Sequence, residues 1–347
     1  MKILYAIQGT GNGHVSRALD IVPLLQKKVT TDVLISGIQS DIELPFPVKY
    51  KYKGLSFIFG KNGGVDMLQT FIQLKSKRLY DEIKTLPIHE YDLIINDFEP
   101  VSAWAAYAAN KPCISLSHQS SVLSSYAPKP SKIDLLGQTI LRIYAPSTVK
   151  YGFHFERYDR FTYTPVIRQQ IRQALVTNLG HITVYLPAFE EEKLIKRFHH
   201  FESVEWHVFS KHTKKSYQSK NVSVFPIRNE AFVQSMASSS GVMCGAGFET
   251  PAEALFLKKK LLVIPMKGQY EQHCNAAALS DMGVTVLKNL KKNKLDRIED
   301  WLTYGKVIPV DYPDITEKII DQILKKHAGV SSSHLSKLWE DELSVSL

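Results

Sequence analysis

The run Cys244-Gly245-Ala246-Gly247-Phe248-Glu249-Thr250-Pro251-Ala252-Glu253 has the residue types of an oxyanion site. Gly245, Ala246 and Gly247 are small enough to let backbone come close to an oxyanion, and a helix opening at Pro251 offers unpaired N–H groups and the positive end of its dipole. The implied ligand carries phosphate. Glu253 stands one turn into that helix, where it either offsets the dipole or binds ligand hydroxyls. Past the apolar strand Lys260 to Pro265, Glu271 and Gln272 open a second helix that runs on through Asn275 and Ala276. They either cap it or present polar atoms to hydroxyls, and an unmatched polar group is costly enough to make such a site selective. At the other end of the chain, the strand Lys2 to Ile7 leads into Gln8-Gly9-Thr10-Gly11-Asn12-Gly13-His14. Gly11, Asn12 and Gly13 clear space above the strand end, and His14 either points into it to take a proton near neutral pH or caps the helix that follows. A nicotinamide cofactor is disfavoured, because His14 stands where a dinucleotide fingerprint has its third glycine and no acid ends the strand Val33 to Ser36.

Three further residues lie at strand ends. Asp97 follows the strand Asp92 to Asn96, which in the commonest doubly wound order lies beside the first strand. It can then reach His14, orient the ring and stabilise its imidazolium, or else N-cap the helix near Val101. Glu99 is an alternative base. His118 ends the next strand beside Ser117 and Gln119; it binds acceptor, contacts phosphate or hydrogen-bonds within its loop.

The residues from Cys244 to Ala276 resemble the donor half of inverting glycosyltransferases of the GT-B type, including UDP-glucuronosyltransferase-like enzymes and the N-acetylglucosaminyltransferase of peptidoglycan lipid synthesis. The resemblance implies that Glu253, three residues after Thr250, binds ribose hydroxyls. It also implies that Glu271 and Gln272, before Asn275 and Ala276, read the donor sugar. Many relatives carry a diphosphate-binding His at the position of Gly245. Here the phosphate grip is expected from backbone N–H groups of Ala246 to Thr250, with Arg228 as the best cation. The loop Phe225 to Asn229, including Ile227 and Arg228, is implied to hold a uracil ring. In the resembling enzymes a His after the first strand is the general base and an Asp in the region of Asp97 supports it. The implied reaction is single displacement at the anomeric carbon with inversion, from a UDP-linked sugar to an acceptor hydroxyl. It uses no metal, since no Asp-x-Asp pair occurs, and no cofactor. A UDP-sugar epimerase or hydrolase on the same scaffold is the rival, with Glu99, Glu249 or Glu271 as its extra acids; a non-catalytic nucleotide-sugar binder is a third reading.

The elements needed to hold these residues follow from the rest of the chain. Its 347 residues with 44% hydrophobic content favour two domains over one. Two rounds of apolar runs separated by amphipathic stretches predict an α/β protein with two facing Rossmann-like, doubly wound parallel-sheet domains. An acceptor-binding domain is expected over 1–160, a donor-binding domain over 161–327, and a tail at 328–347 that packs back on the first. Helices are expected at Gly64 to Lys84, Glu317 to Lys326 and Leu335 to Leu343, and the segment Pro128 to Arg160 reads as helix plus linker. The net charge of +9 suits an anionic partner, but without aromatics interleaved on a basic face nucleic acid is not expected. With no apolar run near the roughly 20 residues of a membrane span and no leader pattern, a cytoplasmic protein is expected. The aromatic and basic segment Tyr126 to Phe161 either meets a lipid-linked or cell-envelope acceptor at the inner membrane face or packs between domains. Cys113, Cys244 and Cys274 read as reduced thiols.

Overall fold

The computed structural model describes residues 1–37, 44–55, 77–132 and 134–327. The first round of apolar runs forms β1 (Lys2–Gln8), β2 (Thr30–Ser36), β3 (Tyr50–Tyr52), β4 (Leu93–Asp97), β5 (Cys113–Leu116), β6 (Val149–Phe153) and β7 (Thr162–Tyr163). They build one sheet in the order β3-β2-β1-β4-β5-β6-β7, and each neighbouring pair is parallel. Ile3 to Ile7 and Leu93 to Ile95 are apolar on both faces and buried, as strands covered by helices on both sides require. The helix Asn12–Lys28 covers one face through Val15, Ala18, Ile21, Val22 and Leu25, and Lys27 and Lys28 sit at its negative end. Gly11, at φ 89°, makes the left-handed entry to that helix, which a side chain would strain.

The second round forms β8 (Ile182–Tyr185), β9 (Trp206–Ser210), β10 (Tyr217–Ser219), β11 (Val222–Pro226), β12 (Gly241–Gly245), β13 (Lys260–Ile264) and β14 (Thr285–Val286). Their order is β10-β11-β9-β8-β12-β13-β14, with the edge strand β10 antiparallel to β11. Each sheet has its first strand in its interior, so each has a switch point where loops diverge at the carboxyl ends of the strands. In the first sheet that point lies between β1 and β4, whose register sets Ile7 opposite Asp97.

The segment Pro128 to Arg160 holds more than a helix and a linker. It contains the helix Leu135–Tyr144, capped by an Asp134 carboxylate that accepts the Gly137 N–H at 2.8 Å, and then β6. Lys150 and Gly152 interrupt the apolar run Val149–Phe153, which hides the strand from a hydropathy reading. The first sheet therefore continues to Tyr163. The helix Thr316–His327 returns to that lobe, where Lys28 Nζ lies 2.9 Å from Glu317 and 2.8 Å from Asp321, and the Tyr151 hydroxyl lies 2.8 Å from His327 Nε2. The tail at 328–347, with the helix expected at Leu335 to Leu343, lies outside the described residues. So does most of the helix expected at Gly64 to Lys84, whose end is the described helix Lys77–Thr85. All three cysteines are free and buried. Among the described residues no helix is long and apolar enough to cross a membrane.

Candidate active site

His14 and Asp97 meet at the switch point of the first sheet. His14 is in the first turn of the helix Asn12–Lys28, and its Nδ1 lies 2.8 Å from Asp97 Oδ1 at the end of β4. The turn after β4 is held open by its own side chains. Asn96 Nδ2 donates to the Glu99 carbonyl at 2.7 Å and to Ser102 Oγ at 2.9 Å, while the Glu99 N–H donates back to Asn96 Oδ1 at 2.9 Å. Phe98, between them, takes φ 58°, a strained conformation for an aromatic residue, and stacks on Tyr144 at 4.6 Å.

A third residue completes the cluster. Arg17, one turn after His14 on the same helix face, is 2% exposed and grips Asp97 with two bonds, Nε to Oδ2 at 3.0 Å and a terminal nitrogen to Oδ1 at 2.8 Å. Its other terminal nitrogen donates to Glu249 Oε1 at 3.0 Å across the interlobe gap. Arg17 went unassigned in the sequence, although its i,i+3 spacing from His14 marks the shared face. Burial raises the pKa of Asp97, but Arg17 and then His14 outweigh it and hold the carboxyl below its ordinary value. For His14, burial favours the neutral ring; Asp97 outweighs burial and the nearby Arg17, so the pKa moves up from 6.5. With Nδ1–H donated to ionised Asp97, Nε2 carries the lone pair that can accept a proton.

The small-residue turn of the second lobe faces this cluster. A cavity of about 250 Å³ is lined by Asn12, Gly13 and Ser16 from the first lobe and by Ile227, Gly247, Phe248, Glu249, Thr250 and Glu253 from the second, together with Arg168. A smaller cavity of about 100 Å³ adjoins it, lined by Gly245, Gly247, Thr250 and Gln272. The helix Glu249–Phe256 starts at the gap without a side-chain cap on its first N–H groups, as an anion site requires. A Cβ on Gly13 would displace the Glu249 carboxylate, the end of a flexible side chain. Asn275 Nδ2 donates to the Ala246 carbonyl at 3.1 Å and ties down the small-residue turn. Gln272 Oε1 accepts the Met266 N–H at 2.9 Å, which fixes the side chain beside the turn. Glu271 Oε2 accepts from Gln119 Nε2 at 3.0 Å.

Three expectations are corrected. Glu99 is not in the cleft: fully buried, its carboxylate caps the helix Pro100–Ala108 by accepting the Val101 and Ser102 N–H groups, each at 2.7 Å, and the Ser36 hydroxyl at 2.5 Å. Glu99→Ala is accordingly expected to cost about 1–2 kcal/mol in urea denaturation. At a temperature where the variant is folded, its transfer rate should fall far less than the roughly hundredfold that loss of a general base brings. His118 is a tie between lobes, not an open ligand for acceptor: its Nδ1 lies 2.8 Å from the Phe153 carbonyl, its Nε2 lies 2.8 Å from Asn275 Oδ1, and its ring stacks on Phe248 at 3.9 Å. Arg228 is exposed at the start of the helix Asn229–Ser238 and does not line the cavity. The cation that does is Arg168, on the connection between the sheets. Glu253, expected to bind ribose hydroxyls, lines the cavity and is held by Arg168 through Nε at 2.5 Å and a terminal nitrogen at 2.8 Å, while the other terminal nitrogen donates to Asn229 at 2.8 Å. Arg168 has no periodic or turn signal in the sequence; only the return of the chain between lobes brings it to Glu253.

Two Rossmann-like lobes facing across a cleft, with loops from the carboxyl ends of both sheets lining it, define a glycosyltransferase of the GT-B type. The chain belongs to glycosyl transferase family 1, whose model matches residues 1–304. Solved structures of the same fold include the glycosyltransferase SnogD from Streptomyces nogalater, at 14% identity and a TM-score of 0.53, covering 93% of this chain and 99% of that one. The spinosyn forosaminyltransferase SpnP is similar at 13% identity and a TM-score of 0.55, covering 99% of each chain. Arabidopsis thaliana UGT89C1, solved in complex with UDP-L-rhamnose, is similar at 15% identity and a TM-score of 0.57, covering 99% of this chain and 97% of that one. No curated protein sequence matches the chain.

Proposed function

We propose that this glycosyltransferase moves a sugar from a UDP-linked donor to an acceptor hydroxyl with inversion, His14 serving as general base. The observation that carries the reading is the contact of His14 Nδ1 with Asp97 at 2.8 Å, beside a cavity walled by the uncapped helix start at Glu249. His14 Nε2 takes the acceptor proton as the acceptor oxygen attacks the anomeric carbon. The bond from that carbon to the diphosphate oxygen breaks, and nucleoside diphosphate leaves with the electron pair. The Ala246 to Thr250 backbone, the helix dipole and Arg168 meet the charge that develops on the leaving group. Glu253 takes the ribose hydroxyls in exchange for part of its bond to Arg168, which turns that guanidinium toward the phosphates. Ile227 and its loop flank the base. Two solved structures of this fold were determined with UDP-sugar ligands, UDP-L-rhamnose in one and UDP-2-fluoro-glucose in the other, which supports uridine as the base.

A UDP-sugar epimerase needs a further free acid around the anomeric carbon. Glu99 caps a helix, Glu249 is tied to Arg17 and Glu271 to Gln119, so the geometry favours transfer.

A thermal-shift series over nucleoside diphosphates tests the donor. Ligand at a hundred times its Kd adds about 2.7 kcal/mol to apparent stability, and UDP is expected to give the largest rise in Tm. The reading is lost if no nucleoside diphosphate raises the Tm.

A further inference from the structure

Gln119 occupies the space between the two halves of the reaction. It lies in the short helix His118–Val122 after β5, is 4% exposed, and places its Nε2 3.0 Å from Glu271 Oε2 and 3.3 Å from His14 Nε2. His14 donates through Nδ1 to Asp97, so its Nε2 is an acceptor, and the amide N–H of Gln119 points at the lone pair that the acceptor hydroxyl must use. The other N–H goes to the acid assigned to the donor sugar. The remaining polar atom, Oε1, is buried without a hydrogen-bond partner. A buried carbonyl left unpaired costs about 1–3 kcal/mol, so the amide is held by its two donor contacts against a penalty on its acceptor side. Turning the amide over would set Oε1 against the Glu271 carboxylate and the His14 lone pair, neither of which can donate to it.

We propose that Gln119 stands in for the acceptor hydroxyl when no acceptor is bound, covering His14 Nε2 against water, and that an incoming acceptor displaces it. This inference rests on the donor and base assignments above and adds a specificity residue to them. The amide supplies the hydrogen bond an acceptor O–H would supply, on the same nitrogen, and links it to Glu271, so base and donor-sugar acid are both occupied until a hydroxyl able to replace the amide arrives. Water would otherwise enter the same transfer: its oxygen attacks the anomeric carbon, its proton passes to His14 Nε2, and the bond to the diphosphate breaks to give free sugar and UDP. A single water replaces one contact and leaves the amide stem in place; an acceptor brings further binding surface with which to displace it.

The test is UDP release from UDP-glucose and UDP-N-acetylglucosamine without any acceptor, by the full-length wild type and Gln119→Ala, with UDP affinity of each measured by calorimetry. Gln119→Ala opens room for water beside Nε2 and removes one hydrogen bond, so acceptor-independent UDP release is expected to rise about tenfold while UDP affinity holds. A gain in hydrolysis does not arise from a merely structural loss. If Gln119→Ala fails to fold, Gln119→Asn, which shortens the amide by one carbon and withdraws it from Nε2, serves in its place with the same expected rise. Unchanged or slower release by a folded variant that still binds UDP overturns the role of Gln119 and leaves the donor reading intact. No binding of UDP or either UDP-sugar by the wild type overturns the donor reading itself, and this inference with it.

Discussion

His14→Ala is expected to lower sugar transfer by about 10²- to 10⁴-fold, the usual contribution of a positioned general base, with UDP affinity unchanged. The His14 ring is 14% exposed and contacts Asp97, Arg17 and Gln119, while the small-residue turn and Glu253 lie on the other lobe. Initial rates at saturating donor and a UDP calorimetric titration separate the two effects, and a variant within tenfold of wild type would remove His14 from the mechanism. The pH profile gives a second check. The pKa of His14 in the fold lies above 6.5, because Asp97 outweighs burial and Arg17. Transfer should therefore fall on the acid side with a midpoint above that of a free imidazole. Charged neighbours of the ring are Asp97, Arg17 and Glu249. Arg17→Gln removes the cation among them and should move the acid limb to still higher pH. The linked stability has the opposite sense: a His whose pKa rises on folding stabilises the fold fully below about 6.5 and loses that contribution as pH climbs through the folded value. Activity and proton-linked stability thus change in opposite directions across the same window.

Asp97→Asn is expected to cost about 3–5 kcal/mol, the penalty for removing one partner of a buried ion pair. Asp97 is fully buried and receives two bonds from Arg17, itself almost inaccessible, so the amide leaves a guanidinium facing a neutral group that can accept only one of them. Against a total of about 5–15 kcal/mol for a native protein, urea denaturation at neutral pH should show this plainly; a loss below about 1 kcal/mol would mean that the pair behaves like a surface contact. The difference between wild type and variant should also depend on pH. Folding depresses the Asp97 pKa, so its contribution is present above the unfolded value of about 3.9 and is lost as pH falls through the lower folded value. The two proteins should converge only in strong acid. The substitution also lets the His14 ring choose the wrong tautomer, so transfer should fall beyond what the population of folded protein explains.

Much of this molecule is written in local pattern. Apolar runs separated by amphipathic stretches specify parallel strands and covering helices, since a strand buried on both faces can afford no polar alternation. The small residues at Gly245 to Gly247, Pro251 in the first helical turn and the glycines before His14 are legible for the same reason: their backbone consequences act within a few residues. The contact of His14 with Asp97 could also be anticipated, because strand order alone sets the ends of β1 and β4 side by side. Strand β6 escaped because Lys150 and Gly152 interrupt it, and pairing with β5 supplies what its own composition does not.

The assignment of partners across the cleft belongs to the folded chain. Arg17 reaches Glu249 over 232 residues of sequence, Gln119 reaches Glu271 over 152, and Arg168 reaches Glu253 over 85. Arg168 took the place expected for Arg228, and Glu99 and His118 left the reaction for a helix cap and an interlobe tie. Local sequence decides which segments become strands, helices and small-residue turns, because those choices depend on dihedral preference and periodicity within a few residues. Which charge neutralises which, and which polar group stays free to react, is settled only when both lobes exclude water from one gap, because ion pairing and desolvation depend on distances between residues far apart in the chain.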